Sequence, residues 1–294
     1  MRTELDCLVC FQQQALSTAR RGGSDEAVHE KVLAAIARLL PELDRGLSPP
    51  ENAVAVYGRI AELTGVRDPF AEVKAASNRF ALGLRDEIRD RIGAAADPLY
   101  AAVRYAIAGN IIDYGAQQAF DALQVLDTCL EQPLALDGYE KFRAAVTGSK
   151  NILYLADNCG ELVFDGLLIE QLQSLGCLVT LAVRGEAILN DATLADIGAC
   201  GLDTLCPVIS NGTGCPGTPL AQCGAEFRQA LARADVVISK GQGNFETLDS
   251  AEVPVFFLLT VKCPVVARRI TTEQGMAPGQ LTGRGEMILL QGKV

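Results

Sequence analysis

From residue 146 onward the chain repeats one pattern, a short apolar run followed by polar punctuation and then a stretch at helical spacing. The runs are "NILYLA", "LVTLAV", "LCPVIS", "DVVIS" and "VPVFFLLTV", and helical stretches are predicted between them at 161–175, 192–197 and 220–232. Strands separated by helices of about 10–15 residues cannot pair as hairpins and instead imply βαβ crossovers. The fold class expected is α/β, with a mainly parallel, Rossmann-like sheet carrying helices on both faces.

The first 145 residues read differently. In "EAVHEKVLAAIARLLPEL", Val28, Val32, Leu33, Ile36, Leu39 and Leu40 recur at helical spacing, as do the apolar residues of "DPLYAAVRYAIAGNIIDYG". A helical N-terminal domain is therefore expected over 1–145 and an α/β domain over 146–294. The tail "GEMILLQGKV" reads as an added edge strand, and "GTGCPGTP" at 212–219 as a mobile loop, more often a plain surface connection than a lid.

Charge and composition narrow the partners. A formal net charge of -10 at pH 7 argues against nucleic acid and anionic membranes, which need concentrated Lys and Arg. No stretch approaches the roughly 18 apolar residues of a membrane span, and "MRTELDCLVC" has no signal-like character, so a cytoplasmic protein is expected. Its ten cysteines are then reduced thiols or metal ligands. Cys7 and Cys10 form a CxxC, but a zinc site would need a second pair or histidines, and His29 has no partner at ligand spacing.

In an open parallel sheet the ligand crevice lies outside the carboxyl ends of the strands. Three clusters follow strand patterns: "ADNCGE" with Asp157, Asn158 and Glu161; "ILNDAT" with Asn190 and Asp191; and "SKGQGNFE" with Lys240, Gly241, Gly243, Asn244 and Glu246. Each Asx taken singly has a helix cap as its commoner role. Carboxylates, carboxamides and an ammonium converging at one sheet end exceed what caps require. Hard oxygen donors suit Mg²⁺ or Mn²⁺ with open positions for water and a phosphate oxygen, Lys240 suits the phosphate, and Gly241 allows close anion approach.

These segments, with "AGNIIDYG" and "CLVC", resemble the damage-control phosphatases, the family formerly called domain of unknown function 89, and in particular a subgroup with an N-terminal CxxC. The resemblance implies a helical part joined to an α/β metal-binding domain, and a metal-dependent phosphatase for sugar phosphates and related damaged or unwanted phosphometabolites. It implies Asp157, Asn158 and Asp191 as metal ligands and Lys240 on the phosphate. Glu161, Asn190 and Asn244 would line the site, with Asn110 and Asp113 facing it from the helical part. Asn110 and Asp113, three apart, would share one helix face. The expected cofactor is a divalent ion, Mg²⁺, Mn²⁺, Co²⁺ or Ni²⁺, and the expected partner a small phosphorylated metabolite. Attack by water and attack by Asp157 or Asp191 both stay open at this stage. So do two other classes, an S-adenosylmethionine-dependent carboxyl methyltransferase, disfavoured by the missing Gly-rich turn, and a non-catalytic metal or metabolite binder.

Overall fold

The computed structural model describes residues 1–111 and 119–293. Helices α1 (Leu5–Arg21), α2 (Glu26–Leu39), α3 (Pro49–Thr64), α4 (Ala71–Ala94), α5 (Pro98–Ala108) and α6 (Ala119–Glu131) come first. They are followed by β1 (Leu136–Asp137), α7 (Tyr139–Gly148), β2 (Asn151–Leu155), α8 (Glu161–Ser174), β3 (Leu178–Val183), α9 (Leu194–Cys200) and β4 (Val208–Ser210). The chain ends with α10 (Ala225–Arg233), β5 (Val236–Lys240), α11 (Gln242–Leu248), β6 (Val255–Val261), α12 (Pro264–Glu273) and β7 (Glu286–Gln291).

The seven strands form one sheet in the order β1-β7-β6-β5-β2-β3-β4. Every pairing is parallel except β6 with β7. From β2 the chain moves outward through β3 to β4, then returns to the other side of β2 for β5 and β6. The order therefore reverses between β2 and β5, which is where an open α/β sheet leaves a crevice. The tail strand β7 is present, but β1 covers it, so it is one strand in from the edge. Residues 145 and 146, where the sequence pattern changes, both lie within α7.

Alternation along the strands splits the core into two layers. Ile152, Tyr154, Ile238, Phe256 and Leu258 face α4, α5 and α8, while Leu153, Leu155, Val237, Phe257 and Leu259 face α10, α11 and α12. Each fully buried aliphatic of this kind stabilises by about 1.5–3 kcal/mol. A third apolar cluster joins α1, α2 and α3 through Phe11, Ala15, Ile36, Val56 and Ile60, and it includes Ile188 and Val265 from the sheet half. The three helices are thereby seated over the carboxyl ends of the strands. Among the described residues no helix is long and apolar enough to cross a membrane.

Three expected elements differ. The helical stretch 220–232 is interrupted: a 3-10 turn at Leu220–Gln222 is separated from α10 by Cys223 and Gly224. The loop 212–219 is no lid, because Thr213 and residues 215–219 are buried and the Thr218 hydroxyl donates to Asn244 Oδ1 at 2.7 Å. The helical run through Asn110 stops at Ala108, and Asn110 sits in a 3-10 turn, Gly109–Ile111. Gly109 touches the Phe164 ring of α8, where any Cβ would collide, so the chain can approach α8 this closely only at a glycine.

Candidate functional site

Asp157, Asn158 and Asp191 are freed from capping by their neighbours. Helix α9 begins with a capping box in which Thr193 and Asp196 satisfy each other's end, so Asp191 is not its cap. Helix α8 starts at Gly160 with no side-chain cap, and the Gly160 N–H donates instead to Asn78 Oδ1 of α4 at 2.6 Å.

The two loops bearing the acids are joined backbone to backbone. Ala192 N–H donates to the Asp157 carbonyl at 2.8 Å, Cys159 N–H donates to the Asn190 carbonyl at 2.9 Å, and Asn158 pairs with Asp191 as an antiparallel bridge. Asp191 closes a turn whose N–H donates to Ile188 O at 3.1 Å, and in it Leu189 is the lone non-glycine with positive φ (48°) among the described residues. Such a conformation costs on the order of 1–3 kcal/mol and persists because these hydrogen bonds hold it.

Asp157, Asn158, Asp191 and Gly241 line one cleft of about 350 Å³, roofed by α1 and α3. A larger hollow of about 850 Å³ beside α9 contains none of the convergent groups, so chemistry rather than size selects the smaller one. Gly241 has φ +80° and lies against the Asp157 carboxylate, where a Cβ would collide. Asp157 (9% exposed) and Asp191 (3% exposed) are both buried. Burial, then each other's charge, pushes the Asp157 carboxyl well above the usual carboxylate range, and burial pushes Asp191 up as well.

Arg184, which directly follows β3, holds this acidic pair. It donates Nε to Asp191 at 2.6 Å, Nη2 to Asp157 at 3.4 Å and Nη1 to Asn244 Oδ1 at 2.8 Å. Burial works against its charge, but Asp191 and Asp157 more than compensate and raise its pKa.

Several expected site residues lie elsewhere. Lys240 is 1% exposed and does not line the cleft; its ammonium donates to Glu161 at 3.0 Å and to Asp165 at 2.7 Å. Those two carboxylates outweigh the effect of burial and raise its pKa. Asp165 also accepts from Tyr154 OH at 2.6 Å, and burial pushes its carboxyl up to about 6. Glu161 accepts from Lys240, from Asn158 Nδ2 at 2.8 Å and from Asn110 Nδ2, which makes it a link beneath the cleft. Asn244 is wholly buried; it donates to the carbonyls of Ala156 and Lys240 and accepts from Arg184 and Thr218, leaving nothing for a ligand. Asn190 is half-buried and does not line the cleft. Asn110 does line it, whereas Asp113 lies outside the described residues.

Among the described residues the cation lining the cleft is Lys262. It follows β6, is exposed, and donates Nζ to the Asn110 carbonyl at 3.2 Å while its N–H is held by Gln242 Oε1 at 3.1 Å. A polar residue directly after an apolar strand was the sequence signal for both Lys262 and Arg184, and Asp165 lies one helical turn beyond Glu161.

Among the described residues no three His, Cys, Asp or Glu side chains are grouped as a metal site; Asn158 and Arg184 stand beside the two acids. The donor set nonetheless suits a hard divalent cation: two buried carboxylates and a carboxamide at one cleft wall, with too little positive charge to ionise both acids easily.

The profile of the damage-control phosphatase ARMT1-like domain matches residues 3–277. The chain belongs to this family. Within the ARMT1-like family it is 33% identical over 279 residues to the damage-control phosphatase PH1575 of Pyrococcus horikoshii, covering 94% of this chain and 96% of that one. It is 34% identical over 278 residues to a damage-control phosphatase of Archaeoglobus fulgidus, covering 92% of this chain and 95% of the relative. The crystal structure of PH1575, described as a DUF89 family protein, superposes with a TM-score of 0.90 at 32% identity over 100% of both chains.

Proposed function

We propose that this chain is a phosphatase hydrolysing phosphate monoesters of small metabolites, sugar phosphates and related damaged or unwanted compounds, with a divalent ion held by Asp157, Asn158 and Asp191. Kinship with proteins named damage-control phosphatases supports the reaction class. The observation that carries the reading is the cleft itself, with its acidic wall at the sheet's switch point and Lys262 on the same surface. When bound, such an ion neutralises phosphoryl oxygens and lowers the pKa of a coordinated water.

The chain's own residues do the rest. Lys262 supplies a positive contact to the phosphate, a role the sequence pattern gave to Lys240. The Gly241 N–H, spent on the Leu258 carbonyl at 3.1 Å, is not available to the anion. Lys240 instead fixes Glu161 and Asp165, and Glu161 in turn orients the Asn158 carboxamide so that its oxygen is free. Arg184 occupies part of Asp191 and limits repulsion between the acids.

The test is phosphate release from a panel of sugar phosphates and an aryl phosphate by chelator-stripped protein supplied with Mg²⁺, Mn²⁺, Co²⁺ or Ni²⁺. Turnover is expected to require the ion, to vanish in Asp157→Ala and to fall about 10²-fold in Lys262→Ala. Turnover that ignores chelator and survives Asp157→Ala would overturn the assignment.

A further inference from the structure

Cys7 and Cys10 are left over from the site described above. They lie in the first turns of α1 and line the same cleft, near Cys263 at the N-cap of α12 and Glu246 of α11. Cys10 is exposed, whereas Cys7, at 7% exposed, is buried, as are Cys159, Cys177, Cys200, Cys206, Cys215 and Cys223; what sets Cys7 apart from those six is its place one helical turn before Cys10 on the cleft wall. Burial pushes Cys7 up to about 11, and partial desolvation of Cys10 against the cleft wall raises it too, with Glu246 and Cys263 adding to both, so both rest as thiols at neutral pH.

We propose that Cys7 and Cys10 are a modification site, a dithiol at the mouth of the cleft that closes to an intrahelical disulfide by exchange with a small-molecule disulfide and thereby lowers turnover at the site. Residues three apart in an α-helix have Cα atoms about 5 Å apart, inside the span of about 4.4–6.8 Å that a disulfide bridges. Their Cβ atoms, about 5–6 Å apart, must close to about 3.5–4.5 Å, so the bond tightens this turn by about 1–2 Å.

The exchange starts at the exposed sulfur. Cys10 as thiolate attacks one sulfur of the external disulfide and expels one small thiolate; Cys7, losing its proton, attacks the Cys10 sulfur and expels the second. One external S–S bond breaks and one protein S–S bond forms. The protons of the two cysteines end on the two released thiols, the dithiol being oxidised by the two electrons that reduce the external disulfide.

The tightening has a route to the site. Cys7 packs in the cluster containing Ile188 and Val265, against which Leu189 and Cys263 also rest. Ile188 opens the turn that ends at Asp191, and Val265 lies just beyond Lys262. Both segments that present the cleft's acid and its ammonium thus share one apolar cluster with the turn that oxidation contracts. The coupling to turnover rests on the phosphatase reading, but the disulfide does not.

The probe is oxidised glutathione added to the intact, reduced protein, followed by acid quench, alkylation and mapping of the tryptic peptide 3–20, which holds both cysteines. The expected peptide is lighter by two hydrogens and resists alkylation until reduced, in wild type and in Cys263→Ser but not in Cys10→Ser. Phosphate release should fall several-fold in parallel, recover with dithiothreitol, and become insensitive to the oxidant in Cys7→Ser and Cys10→Ser. A stable glutathione adduct on Cys10, a Cys10–Cys263 link or an unchanged peptide would overturn the disulfide. A mapped disulfide with undiminished turnover would overturn the coupling. A reduced protein with no turnover on any substrate would count against the phosphatase reading, while the mass map still decides the disulfide.

Discussion

Arg184 is 2% exposed, and its guanidinium is spent on Asp191, Asp157, Thr218 and Asn244. Removing one partner from a buried ionic group strands the rest, so Arg184→Met should destabilise the metal-free protein by about 3–5 kcal/mol in urea unfolding. Saturating Mn²⁺ should recover part of that loss, because a bound cation replaces the missing charge; Arg184→Lys keeps the charge but cannot span both acids, and should fall between. Equal urea midpoints for wild type and Arg184→Met without metal would refute this account of the acid pair. At this scale the sequence revealed the acids and hid their partners. Asp157, Asn158 and Asp191 were legible as cleft residues because the crevice of an open parallel sheet lies outside its strand ends. The structure places Lys240 off the cleft wall, which local pattern could not show, because it cannot tell an ammonium aimed into the cleft from one enclosed by Glu161 and Asp165, acids 79 and 75 residues away.

Strands β2, β3, β5 and β6 were readable as apolar runs because both sheet faces are covered, so every position favours an apolar side chain. The two-residue β1 has too few positions for any period, and its place comes from pairing with β7. Loop 212–219 looked mobile because Gly and Pro report backbone shape and not burial. The end of α5 was missed for a tertiary reason as well: the helix gives way to a 3-10 turn where Gly109 meets Phe164. Gly109→Ala should therefore force α5 and α8 apart and lower stability by about 1–3 kcal/mol, although alanine is the better helix former. Thermal unfolding of the variant checks this, and a raised midpoint would show that the contact yields at no cost.

The molecule as a whole carries a formal charge of -10, and burial of acids ties its stability to pH beyond that general repulsion. Glu246, on α11 in the lining of the cleft, is 7% exposed, and burial pushes its carboxyl up to about 7 from an ordinary 4.5. The folded protein thus binds this proton more tightly than the unfolded chain. The stability that follows is fully present below about pH 4.5 and is lost as pH rises through about 7. The loss attributable to this one carboxyl is at most about 3 kcal/mol. Glu246→Gln keeps the shape and an oxygen acceptor for Gln242 but has no proton to lose. Urea unfolding at pH 5 and pH 8 should therefore show the variant gaining on wild type as pH rises, a comparison in which the net-charge repulsion common to both proteins largely cancels. A difference between the two that is the same at both pH values would mean that Glu246 ionises normally in the folded state, through water entering the cleft beneath α1.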